Sequence, residues 1–168
     1  MTSGKPTTFQ FPGAYGGQVT LSFDPANLQP AGYVLVIPFY QGKLLLTKHR
    51  TRGWEVPGGT IEVNELPVLA AIRETFEETG GEIDAIEWIG QYVITEERKT
   101  MIKSIYIARV ARLHPLPADF ETEDVRICDQ SPSPDEIRND ATYSPILRDS
   151  VYPYVMERIR ELDHPYSK

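Results

Sequence analysis

Hydrophobic and polar positions along this chain follow two periods. Gln18 to Asp24 alternates strictly (Gln-Val-Thr-Leu-Ser-Phe-Asp), the pattern of a half-buried strand. Tyr33 to Tyr40 and Lys43 to His49 are nearly continuous apolar, β-branched runs joined by Gln41-Gly42, which predicts a hairpin with Val34-Leu35-Val36-Ile37 buried. Leu66 to Thr79 carries the helical period, with Pro67 in its first turn and Gly80-Gly81 to stop it. Two further strands are expected at Trp88 to Ile94 and Ile102 to Val110, flanking the charged loop Glu96-Glu97-Arg98-Lys99. His114 to Pro145, rich in proline and acidic residues, reads as long loops with a short strand at Val125 to Cys128. Val151 to Leu162 reads as a closing helix. Strands interleaved with helices predict an α/β fold, and 168 residues without a long linker predict a single domain spanning 1–168.

Composition narrows the function classes. A net charge of −7 disfavours a broad nucleic-acid or anionic-membrane surface but leaves room for a local cationic site. The one cysteine, Cys128, rules out an internal disulfide and reads as a small core residue. No segment has the length and apolarity of a membrane span or the character of a signal peptide, so the expectation is a cytoplasmic monomer or small homo-oligomer.

On a wheel of the Leu66–Thr79 helix, Leu69, Ile72 and Phe76 form a stripe expected to face the core. Glu74, Glu77 and Glu78 gather on the other side. Like charges at these spacings cost about 0.2–0.5 kcal/mol per pair. They also lie at the negative end of the helix dipole, at a further cost of up to about 1 kcal/mol. A bound divalent cation reverses the sign of each term. Hard oxygen donors without His or Cys suit Mg²⁺, with Mn²⁺ as the alternative, and such a metal points to hydrolysis of a phosphate derivative. Arg73, at i, i+4 from Glu77, either orients a carboxylate or forms an ordinary surface pair. Glu65, beside the helix start, is expected to be structural.

The spacing Gly59-x5-Glu65-x7-Arg73-Glu74-Thr75-Phe76-Glu77-Glu78-Thr79-Gly80 resembles the Nudix box, with Thr75 and Gly81 departing at positions that usually hold bulky aliphatics. The resemblance implies the Nudix fold, an α/β/α sandwich around a mixed sheet. It also implies attack of water on a nucleoside diphosphate linked to another group. Metal ligands would be Glu74, Glu77, Glu78 and the carbonyl of Gly58, joined by a downstream acid. Glu121 is favoured for that role over Glu96, Glu97 and Glu123, and Glu74, Glu78 and Arg73 would form the catalytic set. Segments such as Gly53–Gly59, Gly90-Gln91-Tyr92 and Arg148–Val151 are similar to the bacterial MutT-type YtkD group, which acts on nucleoside triphosphates including 8-oxo-dGTP and on RNA 5′ ends.

A triphosphate substrate calls for cationic neighbours. Lys48, His49, Arg50 and Arg52 enter the glycine-rich loop from one side, and Arg98, Lys99 and Lys103 approach from another. Tyr33, Asn139 and Tyr143 are candidates for base recognition, while Trp54 is expected to pack the loop. The first expectation is therefore Mg²⁺-dependent release of pyrophosphate from an 8-oxo-dGTP- or dGTP-like triphosphate. The alternatives are an RNA 5′-triphosphate and a nucleotide-sugar or ADP-ribose substrate. A reading from another class, a nucleotide-sensing module without catalysis, is disfavoured by the complete set of box glutamates.

Overall fold

The computed structural model describes residues 4–118 and 121–168. Nine strands are described: β1 (Thr8–Pro12), β2 (Gln18–Ser22), β3 (Tyr33–Tyr40), β4 (Lys43–His49), β5 (Gly53–Glu55), β6 (Gly58–Thr60), β7 (Gly81–Glu96), β8 (Lys99–Leu113) and β9 (Thr122–Ile127). The helices are α1 (Pro67–Thr79), α2 (Pro134–Asn139) and α3 (Val151–Glu161). The sheet runs β1-β2-β7-β8-β3-β4-β5, with β6 also paired to β3 and β9 to β4. It is mixed: β3 and β8 run parallel over Tyr33–Tyr40, while the other ladders are antiparallel.

The continuous apolar run of β3 has a simple cause. Val34 and Val36 pack on one face with Ala70 and Ala71 of α1, and Leu35, Ile37 and Phe39 pack on the other with Val151, Val155 and Ile159 of α3. A strand covered on both faces has no solvent side to be polar on. The result is an α/β/α sandwich. Gln41 and Gly42, both at positive φ (50° and 76°), make the tight turn expected from their sequence.

The structure corrects the expected core stripe of α1. Leu69 and Phe76 are 52% and 42% exposed, whereas Ala70, Ala71, Thr75, Glu78 and Thr79 are buried. Two alanines let the helix backbone approach the sheet closely, and the larger apolar side chains overhang its edge. Thr75, in a position where the resemblance leads one to expect an aliphatic, is accommodated because its hydroxyl donates to the Ala71 carbonyl at 2.8 Å. Glu78 therefore continues the buried row Ala71–Thr75–Glu78 and is inserted toward the sheet.

Elsewhere elements are longer or more numerous than the pattern predicts. Strands β7 and β8 extend to a tight turn at Glu97-Arg98, and register shifts near Ile83 and Trp88 let the long ribbon bend. Strand β1 is held by Phe9 stacking on Tyr154 of α3 (centroids 4.2 Å apart), a contact 145 positions away in sequence. Within the proline-rich segment, Ser133 caps α2 by accepting from the Glu136 amide at 3.1 Å, with Pro134 in the first turn. Cys128 is buried and free, as expected.

Candidate active site

The box is a loop, strand and helix folded onto one another. Strand β6 lays Gly58 and Gly59 opposite Leu35 and Val34 of β3. A side chain at Gly58 would strike the Val34 carbonyl, and one at Gly59 would strike the carboxylate of Glu74. Gly80 ends α1 in the left-handed conformation (φ 73°), and its amide donates to Phe76 O at 2.8 Å. A Cβ there would meet the His114 carbonyl. The glycines are thus steric requirements of the box.

Arg73 is the hub of its polar network. Its Nε and one terminal nitrogen donate to both oxygens of Glu65 at 2.8 Å, and the same terminal nitrogen donates to Thr60 O at 3.1 Å. The other terminal nitrogen reaches Glu74 at 2.9 Å and Glu77 at 3.4 Å. The guanidinium holds the Glu65 carboxyl down to about 2, while the Glu65 and Glu74 charges hold the Arg73 proton more firmly than usual. Glu65 is bound up in this clamp. Its oxygen also accepts from the Glu62 amide at 3.0 Å.

Glu78 is 8% exposed, and one carboxylate oxygen accepts from the Gly58 amide at 3.2 Å. Burial, then the nearby charges of Glu74 and Glu55, push its carboxyl up to about 9. Burial also raises Glu74, against the opposing pull of Arg73. Glu77 is more open, at 47% side-chain exposure. Among the described residues no three acidic, His or Cys side chains converge as a ready-made metal cage. Arg73 draws on Glu74 and Glu77, and Glu78 favours its proton. The donor set remains all-oxygen, and like charges desolvated together are what a hard divalent cation relieves.

The other predicted residues lie at different distances from this centre. Lys48 pairs with Glu123 at 3.1 Å and stands over the Trp54 ring. His49 accepts through Nδ1 from the Thr51 and Arg52 amides, each at 3.2 Å, so it shapes the turn. The Arg50 amide donates to the carbonyl of Glu121 at 2.8 Å, placing exposed Glu121 beside the end of β4. Asp119 and Phe120, quoted with it, lie outside the described residues. Arg52 forms a two-pronged ion pair with Glu55 at 2.9 and 3.2 Å. Lys99 borders an open cleft with Tyr15 and Gly17 at the β7–β8 turn. Asn139 sits exposed at the end of α2, and Tyr143 is buried against Trp54 in the core. Trp54 itself is buried, flanked by Arg126 at 4.1 Å.

Tyr33 and Lys103 were separate candidates in the sequence, and what the sequence does not show is that Tyr92 joins them in one row. Tyr33, Lys103 and Tyr92 are register neighbours across β3, β8 and β7, which places the Lys103 ammonium 5.7 Å from both tyrosine rings. Tyr92 and Lys103 also line a small cavity of about 60 Å³, together with Tyr15, Ile94, Ile146 and Asp149. Burial lowers the Lys103 ammonium and raises the Asp149 carboxyl to about 6. The signal for this row is the pairing register, which no single strand's pattern contains.

Comparison with known proteins agrees with this geometry. The NUDIX domain family matches residues 30–150. YtkD of Bacillus subtilis, provisionally named an 8-oxo-dGTP diphosphatase, is 35% identical over 155 residues, covering 91% of this chain and 96% of that protein. A crystal structure of a variant of the B. subtilis pyrophosphohydrolase BsRppH superposes with a TM-score of 0.87 at 32% identity, covering 93% of this chain and 98% of that one. The NUDIX domain of Shewanella oneidensis NrtR, solved with ADP-ribose, shares the fold with a TM-score of 0.57 at 19% identity, over 83% of this chain and 93% of that one. With its box, its sandwich and these relatives taken together, the chain belongs to the Nudix family, as a hydrolase of nucleotide phosphoanhydride bonds.

Proposed function

We propose that the protein hydrolyses a nucleoside triphosphate of the 8-oxo-dGTP or dGTP type in a Mg²⁺-dependent reaction that releases pyrophosphate. The observation that carries this reading is the pairing of part-buried Glu74 with buried Glu78, set against Gly59 and Gly58 and braced by Arg73. Glu74, Glu77, Glu78 and the Gly58 carbonyl would hold the metal, with Glu121 as the downstream candidate. Mg²⁺ suits this set because carboxylate and carbonyl oxygens leave coordination sites for water and phosphate, and Mn²⁺ is the natural substitute. When bound, the metal neutralises phosphate charge and acidifies water.

The protein's own groups supply position and proton handling. Arg73 fixes the Glu74 rotamer through the Glu65 clamp, so the carboxylate that orients or deprotonates the attacking water does not wander. Arg52, the box-side member of the cationic run, is placed to meet the phosphate chain, and the aromatic and polar walls of the Tyr92–Lys103–Asp149 cavity are the candidate contacts for a base. Lys48, His49, Arg50, Lys99 and Asn139 are the remaining candidates for contact with the substrate.

A second reading, hydrolysis at an RNA 5′-triphosphate, is favoured by one observation. The cavity shares Tyr15, Gly17 and Glu96 with the open cleft that Arg98 and Lys99 border, so a chain could continue outward. Parallel kinetics on 8-oxo-dGTP, dGTP, ADP-ribose and 5′-triphosphorylated RNA, each with Mg²⁺ and Mn²⁺, scored for pyrophosphate from the triphosphates and for AMP from ADP-ribose, tests both. A kcat/KM for ADP-ribose above the triphosphates would overturn the proposal.

A further inference from the structure

Glu55 has no place in the box pattern, yet it is 4% exposed and charged. A buried carboxylate is costly unless paired, and Glu55 is paired by both prongs of Arg52 at 2.9 and 3.2 Å. The β4–β5 register sets Glu55 opposite Thr47, so the two share a face of the ladder. The Thr47 hydroxyl donates to the Glu78 carbonyl at 2.8 Å. Backbone pairing therefore delivers Glu55 to the box. The ion pair thus lies against the box. Arg52 keeps 39% of its side chain exposed, while Glu55 keeps 6%.

We infer that Glu55 is a positioning residue that aims the Arg52 guanidinium beside the box, where it grips the phosphate chain of the substrate. A guanidinium held at Nε and one terminal nitrogen still offers its other donors to phosphate in a fixed plane. An unheld arginine at a loop edge would lose that aim to side-chain freedom. The inference rests on the triphosphate reading for the role of the phosphates, but its test does not require turnover.

The test compares wild type, E55Q, R52K and the double variant. E55Q preserves the shape of the side chain and removes the two-pronged acceptor; R52K preserves the charge and removes the fork. Calorimetric binding of tripolyphosphate at fixed free Mg²⁺ is measured alongside kcat and KM for dGTP, with thermal melts to confirm folding. Expected are at least tenfold weaker tripolyphosphate binding in each single variant, a rise in KM that exceeds the fall in kcat, and a double variant no weaker than the worse single. Tripolyphosphate binding by E55Q equal to wild type would overturn the inference. So would a double-variant loss equal to the product of the single losses, since Glu55 would then not act through Arg52. If wild type binds tripolyphosphate but hydrolyses none of the nucleotides, the functional proposal fails while the positioning role is still decided by the binding data.

Discussion

The most discriminating perturbation is Glu78→Gln. Glu78 is buried, accepts from the Gly58 amide, and faces Glu74 with its carboxyl raised from 4.5 to about 9. In metal-free protein at pH 7.5 the folded state therefore keeps this proton and the unfolded state has lost it. The sign follows from linkage. A raised acid stabilises the fold fully below pH 4.5, and that contribution is lost as pH rises toward 9. Three pH units at about 1.4 kcal/mol each give about 4 kcal/mol lost between pH 4.5 and 7.5 from this one group, as an upper bound. Glutamine copies the protonated acid: its carbonyl keeps the Gly58 contact and its amide donates toward Glu74. E78Q should therefore be more stable than wild type in EDTA at pH 7.5, with the gap shrinking toward pH 4.5. At the same time it should lose Mg²⁺-induced stabilisation and at least ~10²-fold in kcat. Denaturant unfolding at the two pH values, with and without Mg²⁺, measures the first effects, and pyrophosphate release measures the last. An E78Q protein less stable than wild type in EDTA at pH 7.5, or one with near-full activity, would refute the reasoning.

Other outcomes follow from the same contacts. Gly59→Ala drives a methyl group into the Glu74 carboxylate, so kcat should fall by ~10-fold or more while the melting profile shifts little, since the displaced group is catalytic and not core. Gly80→Ala strains a left-handed residue and meets the His114 carbonyl; unfolding free energy should drop by about 1–3 kcal/mol in denaturant titrations. Asp149, raised from 3.8 to about 6 by burial, stabilises the fold when protonated below pH 3.8 and loses that contribution as pH rises to 6. Asp149→Asn should flatten the melting temperature between those limits while retaining the Val151 amide contact at 2.9 Å. Arg73→Lys leaves a charge but cannot hold Glu65, Glu74 and Glu77 from one plane, and ~10-fold lower kcat/KM with unchanged circular dichroism is expected.

The sequence by itself determined the family and its hydrolase class. Spacing along one helix is local information, because residues three, four and seven apart meet whatever the rest of the chain does. The clustering of the box carboxylates and the stop at Gly80 were legible for that reason, whereas the spacing left Arg73 open between a brace and a surface pair, and the structure shows it gripping Glu65, Glu74 and Glu77. So were β3, β4 and the turn between them, where continuous apolarity and Gln41-Gly42 leave few alternatives. Local pattern misjudged which side of α1 faces inward, since a wheel ranks residues by apolarity. The close seat on the sheet was set by Ala70 and Ala71, which fit where Leu69 and Phe76 cannot. Tertiary structure alone decided what adjoins the box. Glu55 reaches it through pairing with Thr47, and Tyr33, Lys103 and Tyr92 align through three strands spread over 71 positions. Register between distant strands is settled by the packing of whole faces at once. A one-residue slip would turn Lys103 to the other side of the sheet.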